Sequence, residues 1–240
     1  MKILCEEQYD FDWWRLRRGK PTASNAAKIV TPAQMKYSKS ARKLIYDLIG
    51  DLYDPYYPAK DGVQTSAMKN GTEREKPARD NFVFVTGLDV REVGLCSNQI
   101  GEEGDEDYKA PTFWSSPDGI VVETGEPVEI KAPTPSVHVG YLWDNKVPND
   151  YVGQLHAHML VCGTTSSWFV SYCPGFPDLI IHYQATDYLQ ALKAAIPTFH
   201  KEYNEVLEKI KSEAGDPPEM NVPQETEETQ TQERDETVVF

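Results

Sequence analysis

The residues best suited to catalysis lie in two short strand-like segments, at 115–120 and 128–131. The first contains Asp118 within Ser-Ser-Pro-Asp-Gly-Ile, and the second is Val-Glu-Ile-Lys, with a turn at 124–126 between them. Residues two apart on a strand leave the same face, so Glu129 and Lys131 share a face while Ile130 points away. The spacing therefore predicts two carboxylates and an ammonium at one edge of a strand pair.

Such a cluster suits the cleavage of phosphodiester bonds. Carboxylates are the hard oxygen ligands that Mg²⁺ prefers, and the ion polarises a phosphate and lowers the pKa of a bound water. A neighbouring ammonium can orient that water, help to deprotonate it or neutralise charge on the phosphate. An acidic hairpin or a Pro-Asp-Gly turn alone is commonly a solvated surface. An Asp followed by Glu-x-Lys is more specific and matches the signature of the PD-(D/E)XK nucleases.

The resemblance extends over most of the chain, from residue 13 to about residue 210. Five ordered segments carry it: Trp14 to Ser24 (WRLRRGKPTAS), Gly71 to Glu75 (GTERE), Ser116 to Gly119 (SPDG), Glu129 to Lys131 with Pro133, and Gly153 to Leu155 (GQL). In these segments the chain resembles the YqaJ-type viral recombinases, a lambda-exonuclease-like family within the PD-(D/E)XK nucleases.

This resemblance implies a catalytic role for each matching residue. The metal ligands would be Glu75, Asp118, Glu129 and the carbonyl of Ile130. Lys131 would act on the attacking water, and Gln154 would help to position that water or the scissile phosphate. The expected cofactor is Mg²⁺, as two ions, with Mn²⁺ as a substitute.

The resemblance also implies how DNA ends are held. Arg17, Ser24 and Ser116 would lie near a terminal 5′-phosphate, where a guanidinium forks onto phosphate oxygens and a helix start favours anions. Met68 could present an apolar side chain that unstacks the end of the duplex, although a buried or simply exposed methionine is the more ordinary interpretation.

The function implied is a Mg²⁺-dependent 5′→3′ exonuclease on linear double-stranded DNA. It would leave 3′ single strands for viral or phage-type recombination by strand annealing, acting as a homotrimeric ring with an annealing protein as a further partner. Two alternatives stay open: an endonuclease or single-strand nuclease on the same core, and a catalytically silent module that binds DNA ends. The complete set of Glu75, Asp118, Glu129 and Lys131 argues against the silent module.

The hydrophobic periodicity predicts an α/β fold, with a mixed central sheet between helices and a helical N-terminal part. Predicted helices cover residues 13–18, 25–30, 40–52, 72–86, 136–143, 150–162 and 188–210, and predicted strands cover 90–96, 112–122, 128–131, 168–172 and 180–185. Pro77 is expected to kink its helix or to mark its first turn. We expect a nuclease domain at 1–212 and a disordered acidic tail at 213–240. The tail's last residues, Val238 to Phe240, could alternatively be a docking peptide.

The net charge of −14 does not exclude DNA as a partner. Residues 213–240 carry −8 and the segment 102–107 carries −5, which leaves −1 for the rest of the chain. The acidic segment at 102–107 is expected on the outside, away from DNA. Two basic stretches can bind phosphates, and they comprise Arg15, Arg17, Arg18 and Lys20, then Lys36, Lys39, Arg42 and Lys43.

Cysteine usage and the N-terminus favour a protein of the cytoplasm. The four cysteines are scattered, so neither a zinc site nor a disulfide framework is indicated. No run of about 18 apolar residues predicts a membrane span, and residues 1–14 lack the basic and apolar regions of a signal peptide.

Four further residues near the signature are interpreted mainly as structural. His156 and His158 are two apart on a predicted helix and therefore cannot share one metal, although His158 lies on the face of Gln154 and could line the site. His138 and Trp143 could contact DNA, but packing within the protein is the favoured interpretation.

Overall fold

The computed structural model describes residues 1–57, 66–99 and 113–221, with the side chains of residues 66–72 left out of the description. In chain order its elements are β1 (Lys2–Cys5), α1 (Phe11–Arg17), a 3₁₀ turn (Ala23–Asn25), α2 (Ala26–Ile29), β2 (Val30–Thr31), β3 (Lys36–Tyr37), α3 (Ala41–Tyr53), α4 (Ser66–Thr86), β4 (Val90–Arg91), β5 (Leu95–Ser97), β6 (Trp114–Ser115), β7 (Gly119–Val121), β8 (Pro127–Lys131), α5 (Pro135–Asp144), α6 (Asn149–Cys162), β9 (Ser166–Ser171), β10 (Leu179–Gln184) and α7 (Asp187–Ala214).

The central sheet has five strands in the order β10-β9-β8-β7-β4. Only β8 and β9 within this sheet run parallel, with Glu129 opposite Phe169, and the other neighbours are antiparallel. α4 packs on one face of the sheet, while α5 and α6 cover the other. The predicted α/β fold with a mixed central sheet is confirmed.

The alternation along β8 decides which residues face the site. Val128 and Ile130 pack with Phe82 of α4 in one apolar cluster. Glu129 and Lys131 leave the opposite face, toward α6, as the two-residue period of a strand requires. The sheet therefore buries its apolar residues on one side and presents the charged pair on the other.

A second apolar core joins the N-terminal helices to α6 and α7, with Ile29, Ile45, Leu192 and Phe199 fully or almost fully buried. Gly153 allows α6 to approach α2 closely, because a Cβ there would lie 2.9 Å from the amide nitrogen of Ala27. This contact fixes the depth and rotation of the helix that carries Gln154.

Two of the predicted strands are divided between different sheets. The segment 90–96 forms β4 in the central sheet and β5 in a second sheet of order β1-β5-β6, and 112–122 is similarly divided into β6 and β7. Pro117 lies at the second division and has no amide hydrogen for a strand ladder. The strands β1, β2 and β3 were not predicted, because segments of two to four residues carry too little periodicity.

The ends of two helices also differ from prediction. α4 begins at Ser66 rather than near 72, so Pro77 lies inside the helix instead of in its first turn. α7 continues to Ala214, past the predicted boundary at 212. Beyond it, the carbonyl of Pro218 accepts a hydrogen bond from Arg18, and the amide of Asn221 donates to the carbonyl of Pro55. The described chain thus continues to residue 221, nine residues past the predicted boundary at 212, and the rest of the predicted tail lies outside the described residues.

Within the described residues, no helix is long and apolar enough to cross a membrane.

Candidate active site

Asp118 immediately precedes β7. Its carboxylate, rather than a backbone carbonyl, accepts the hydrogen bond from a β8 amide. The amide of Asp118 donates to the carbonyl of Val128, and the amide of Ile130 donates to Asp118 Oδ2 at 2.6 Å. The next residue, Gly119, has no room for a side chain, because a Cβ at that position would lie 2.3 Å from a methyl carbon of Val90. The Asp-Gly pair thus turns the carboxylate across the end of β8.

Glu129 is almost fully buried, with 2% of its surface exposed, and its carboxylate has three protein partners. Gln154 of α6 donates to Oε1 at 2.7 Å, and the ammonium of Lys131 contacts the same oxygen. His158, one helical turn after Gln154, lies with Nε2 at 2.8 Å from Oε2. The four side chains form one hydrogen-bonded group.

Glu75 reaches the same region from α4. It is close enough for the charges of Glu129 and Lys131 to influence its pKa, and Arg79, one turn later, donates to the carbonyl of Asp118 at 3.1 Å. The structure therefore brings together the predicted Glu75, Asp118, Glu129 and Lys131, with Gln154 beside them.

The electrostatics are those of several carboxylates in a small volume. Burial and the charge of Glu129 raise the pKa of Asp118 well above its ordinary value. Burial also raises the pKa of Glu75. Burial alone would raise the pKa of Glu129, but Lys131 and His158 outweigh it and lower that pKa to about 2. The cluster repels further negative charge and favours a cation.

The donor set fits a hard divalent cation. Three carboxylates and the backbone oxygen of Ile130 are oxygen donors of the kind that Mg²⁺ binds. Among the described residues, no three His, Cys, Asp or Glu side chains already converge in a metal-binding arrangement. Glu129 Oε1 would have to release Gln154 or Lys131 before it could act as a ligand.

A cleft of about 190 Å³ lies between α1, the 3₁₀ turn and α3. Its lining comprises Arg17, Lys20, Thr22, Ser24, Asn25, Lys28, Leu44, Asp47, Leu48, Asp51 and Tyr57. Arg17 stacks on Trp13, with its guanidinium carbon 4.1 Å from the ring centre, and this fixes its direction. Ser24 is exposed, and its hydroxyl lies 3.1 Å from that of Thr22. The predicted pair of Arg17 and Ser24 therefore lines one cleft.

One stretch of chain connects the cleft with the carboxylates. Ser116 accepts hydrogen bonds from Arg17 at 2.9 Å and from the indole of Trp13 at 3.0 Å. Ser115, the preceding residue, lies on the other side of the chain, with its hydroxyl 2.6 Å from His158 Nδ1. Two residues further on, Asp118 enters the cluster. Ser116 thus positions Arg17 directly.

Most of the basic residues singled out in the sequence lie elsewhere. Arg18 is buried, and its guanidinium donates to the carbonyls of Asp51, Asp54 and Pro218. Arg15 pairs with Asp12 at the surface. In the second stretch, Arg42 bonds Tyr46 and Lys43 pairs with Asp47. Only Arg17 and Lys20 of the two stretches line the cleft, together with Lys28.

The histidine and tryptophan predictions had mixed outcomes. His138 is fully buried between Ser171 and the carbonyl of Pro177, so packing is confirmed. Trp143 is 89% exposed, so the packing interpretation is wrong there. The side chain of Met68 and the acidic segment at 102–107 lie outside the described residues.

Sequence reasoning underestimated His158 and missed Ser115 and Arg79. The signal for His158 was its spacing of four residues from Gln154 on one helix, which places both side chains on the same face. Ser115 and Arg79 carried no such signal, because their contacts depend on how the strands and α4 meet.

The family follows from comparison with known sequences. A model of the YqaJ-like viral recombinase domain matches residues 12–165. The chain belongs to this family. The match covers the site residues from Glu75 to His158, as well as the basic cleft, and the family supports a nuclease function in recombination. Among curated proteins, no sequence matches the chain significantly.

Solved structures agree with this family. The alkaline exonuclease LHK-Exo from Laribacter hongkongensis is 29% identical, with a TM-score of 0.67 over 85% of this chain and 98% of its own. The same enzyme in complex with dAMP is 27% identical over the same shares, with a TM-score of 0.66. A phage-related exonuclease from Haemophilus somnus 129PT, 13% identical, has a TM-score of 0.57 over 81% of this chain and 98% of its own, which shows a shared fold.

Proposed function

We propose that the protein is a Mg²⁺-dependent 5′→3′ exonuclease on linear double-stranded DNA, which leaves 3′ single strands for recombination by annealing. The observation that carries the proposal is the connection, through residues 115–118, of a buried carboxylate cluster with a basic cleft. One part can hydrolyse a phosphodiester and the other can hold a terminal phosphate. The nuclease class of the family and the dAMP bound by a similar enzyme support DNA as the substrate.

Glu75, Asp118, Glu129 and the Ile130 carbonyl would hold the ions, as two Mg²⁺ or their Mn²⁺ substitutes. Bound Mg²⁺ would activate a water and stabilise charge on the phosphate. Lys131 and Gln154 can orient that water or the phosphate, since both already converge on one oxygen of Glu129.

The basic cleft supports the 5′→3′ direction of the proposed digestion. Arg17 is fixed by Trp13 and Ser116, so its guanidinium is already ordered for a bidentate contact with a terminal phosphate. Ser24 and Lys28 line the same cleft and add a hydroxyl and a positive charge. A 5′-phosphate held here would bring the first phosphodiester bonds toward Asp118.

The decisive experiment compares three DNA substrates with the full chain: linear duplex labelled at the 5′ end, the same duplex labelled at the 3′ end, and covalently closed circles. We expect early release of the 5′ label from linear duplex in Mg²⁺, and no release in EDTA. Closed circles should stay intact. Cutting of circles would support the endonuclease alternative, and binding without any release would support the silent module.

Substitution of Asp118 tests the active centre itself. Asp118→Ala should lower the rate by at least about 10²-fold while DNA binding is retained, because it removes a metal ligand and a negative charge near phosphate. Glu123→Ala is the matched control, since Glu123 is an exposed acid in the turn between β7 and β8. Near-normal cleavage by the Asp118 variant would overturn the assignment.

We also propose a homotrimeric ring and a single-strand annealing protein as partner, on the basis of family membership. Light scattering of the purified chain, with and without DNA ends, measures the first. A monomer that digests long duplexes processively would contradict it.

A further inference from the structure

Two buried histidines stand two residues apart on α6 and point to opposite sides. His156 is held within the fold, with Nδ1 at 2.6 Å from the carbonyl of Val152, while Nε2 accepts from the amide of Thr186 at 3.0 Å. His158 instead points to the active centre, between Ser115 and Glu129. Helix α6 therefore carries one histidine, His156, with structural contacts and another, His158, in contact with a catalytic carboxylate.

The direction of the His158 hydrogen bond follows from its partner. An ionised carboxylate only accepts, so His158 Nε2 donates its hydrogen to Glu129 Oε2. Ser115, on the other side of the ring, lies 2.6 Å from Nδ1 and fixes the ring plane. His158 and Ser115 are 1% and 0% exposed, so water is excluded from both contacts.

The two oxygens of Glu129 consequently have different surroundings. Oε2 faces the protein interior and is occupied by His158. Oε1 faces the partly exposed side chains of Lys131 and Gln154, from which a ligand would arrive. A carboxylate fixed at one oxygen keeps its other oxygen in a constant direction.

We propose that Ser115 and His158 are positioning residues that reserve Oε2 of Glu129 and direct Oε1 to a divalent metal ion. Glu129 then binds that ion through one oxygen. The proposal rests on the metal dependence proposed above. Hydrogen bonds to the ligands of a metal fix their orientation, and their loss typically weakens metal binding about 10- to 100-fold.

The test measures Mn²⁺ binding to the full chain without DNA, from the electron paramagnetic resonance signal of free Mn²⁺. His158→Ala should weaken binding about 10- to 100-fold. His158→Gln should recover part of that loss, because its amide nitrogen can take the place of Nε2. Ser115→Ala should weaken binding less than His158→Ala does, since the ring loses only its orientation.

His156→Ala is the matched control on the same helix. It should lower the melting temperature, because it removes contacts with Val152 and Thr186, but it should leave the affinity for Mn²⁺ within about 3-fold of the wild type, below the smallest loss expected from an orienting residue. A merely structural role for His158 predicts the same result for both histidines. The contrast between them in metal affinity separates positioning from stability.

Each failure has a distinct signature. If the wild type neither binds Mn²⁺ nor cleaves DNA in Mg²⁺, the proposed metal-dependent function falls and this inference with it. If the wild type does both but the His158 variants bind Mn²⁺ normally, only the positioning role is refuted. Should His158→Ala fail to fold, His158→Gln and Ser115→Ala decide, and normal affinity in both would overturn the proposal.

Discussion

The ammonium of Lys131 contacts Glu129 Oε1 and lies 5.1 Å from the centre of the Tyr151 ring. Burial lowers the pKa of Lys131, but Glu129 and Asp118 outweigh burial and raise it above its ordinary value. In this arrangement Lys131 is therefore a cation, and a cation can both orient the water and neutralise charge on the phosphate.

Lys131→Ala should lower kcat by roughly 10²- to 10³-fold, with little change in DNA affinity, because its charge acts on the transition state. Lys131→Arg should recover little, since a planar fork does not replace a compact ammonium. Steady-state kinetics on labelled duplex measure both. Lys146→Ala, an exposed lysine on the loop after α5, is the control. A defect that appeared only in KM would contradict this role.

Arg17 and Arg15 lie on the same short helix and provide a matched pair. Arg17 lines the cleft and bonds Ser116, whereas Arg15 pairs with Asp12 at the surface. Wild-type digestion should be faster on 5′-phosphorylated than on 5′-hydroxyl duplex, and Arg17→Ala should erase most of that preference. Arg15→Ala should preserve it. Equal wild-type rates on 5′-phosphorylated and 5′-hydroxyl duplex would refute the assignment of Arg17 to the terminal phosphate.

At the scale of elements, the positions of strands and helices with strong periodicity were predictable from the sequence, whereas the pairing of the strands was not. β8 and α6 were located within one or two residues, because the alternation of Val128 to Lys131 and the length of the helix are local properties. The division of 90–97 and 114–121 between two sheets depends on which strand each segment meets, and that choice is set by distant residues such as those of β1. The spacing of His158 and Gln154 on α6 indicated that both face the site, but the contact of His158 with Glu129 also depends on how α6 meets β8.

Glu126, in the turn just before β8, contacts both β9 and β10 at the end of the sheet away from Lys131. Its carboxylate accepts from Ser166 and Trp168 of β9 and lies 2.9 Å from His182 Nε2 of β10. Burial raises the pKa of Glu126, but these hydrogen bonds outweigh it and lower the pKa below its ordinary value. The stabilisation is present above the unfolded-state pKa of about 4.3 and is lost as the pH falls through the lower folded-state value.

Glu126→Gln should lower the free energy of unfolding at pH 7 by about 1 to 3 kcal/mol, because hydrogen bonds to a charged acceptor are exchanged for weaker ones. The difference from the wild type should shrink as the pH falls below about 4. Urea unfolding at a series of pH values measures this. Glu123→Gln, an exposed acid three residues earlier in the same turn, should change little. A loss for Glu126→Gln that is constant from pH 7 to pH 3 would contradict the electrostatic explanation.

At the scale of the whole molecule, the chain past α7 returns to the wall of the basic cleft. Arg18 binds the carbonyl of Pro218, and Asn221 binds the carbonyl of Pro55, two residues before Tyr57, which lines the cleft. Composition alone assigned this segment to the tail, because Gly, Pro and acidic residues carry no apolar period. The backbone carbonyls that hold it in place have no sequence signature.

Truncation should therefore have two separate effects, one from the loss of contacts made up to residue 221 and one from the loss of the acidic residues beyond it. Removal of residues 215–240 would also remove the carbonyl that Arg18 binds, together with the Gly215 carbonyl that accepts from Tyr53. Loss of a hydrogen bond from a buried charged group costs about 2 kcal/mol, so the melting temperature should fall by roughly 4 to 8 °C. A chain ending at Asn221 keeps both contacts and should melt like the full chain.

The chain ending at Asn221 should bind DNA ends more tightly than the full chain at low salt. Residues 222–240 contain six acids and one arginine, a net charge of −5, and they continue from a point beside a cleft lined by Arg17, Lys20 and Lys28. Negative charge attached to the chain at that point would compete with phosphate, and screening weakens such competition as salt rises, so the gain should be a few-fold at about 50 mM salt and small at about 300 mM. Full-length protein with the six acids changed to Gln and Asn is the control for charge alone, and fluorescence anisotropy with a labelled duplex measures all three. Equal affinities at low salt, or weaker binding by the shortened chain, would show that the acidic residues do not compete for the cleft.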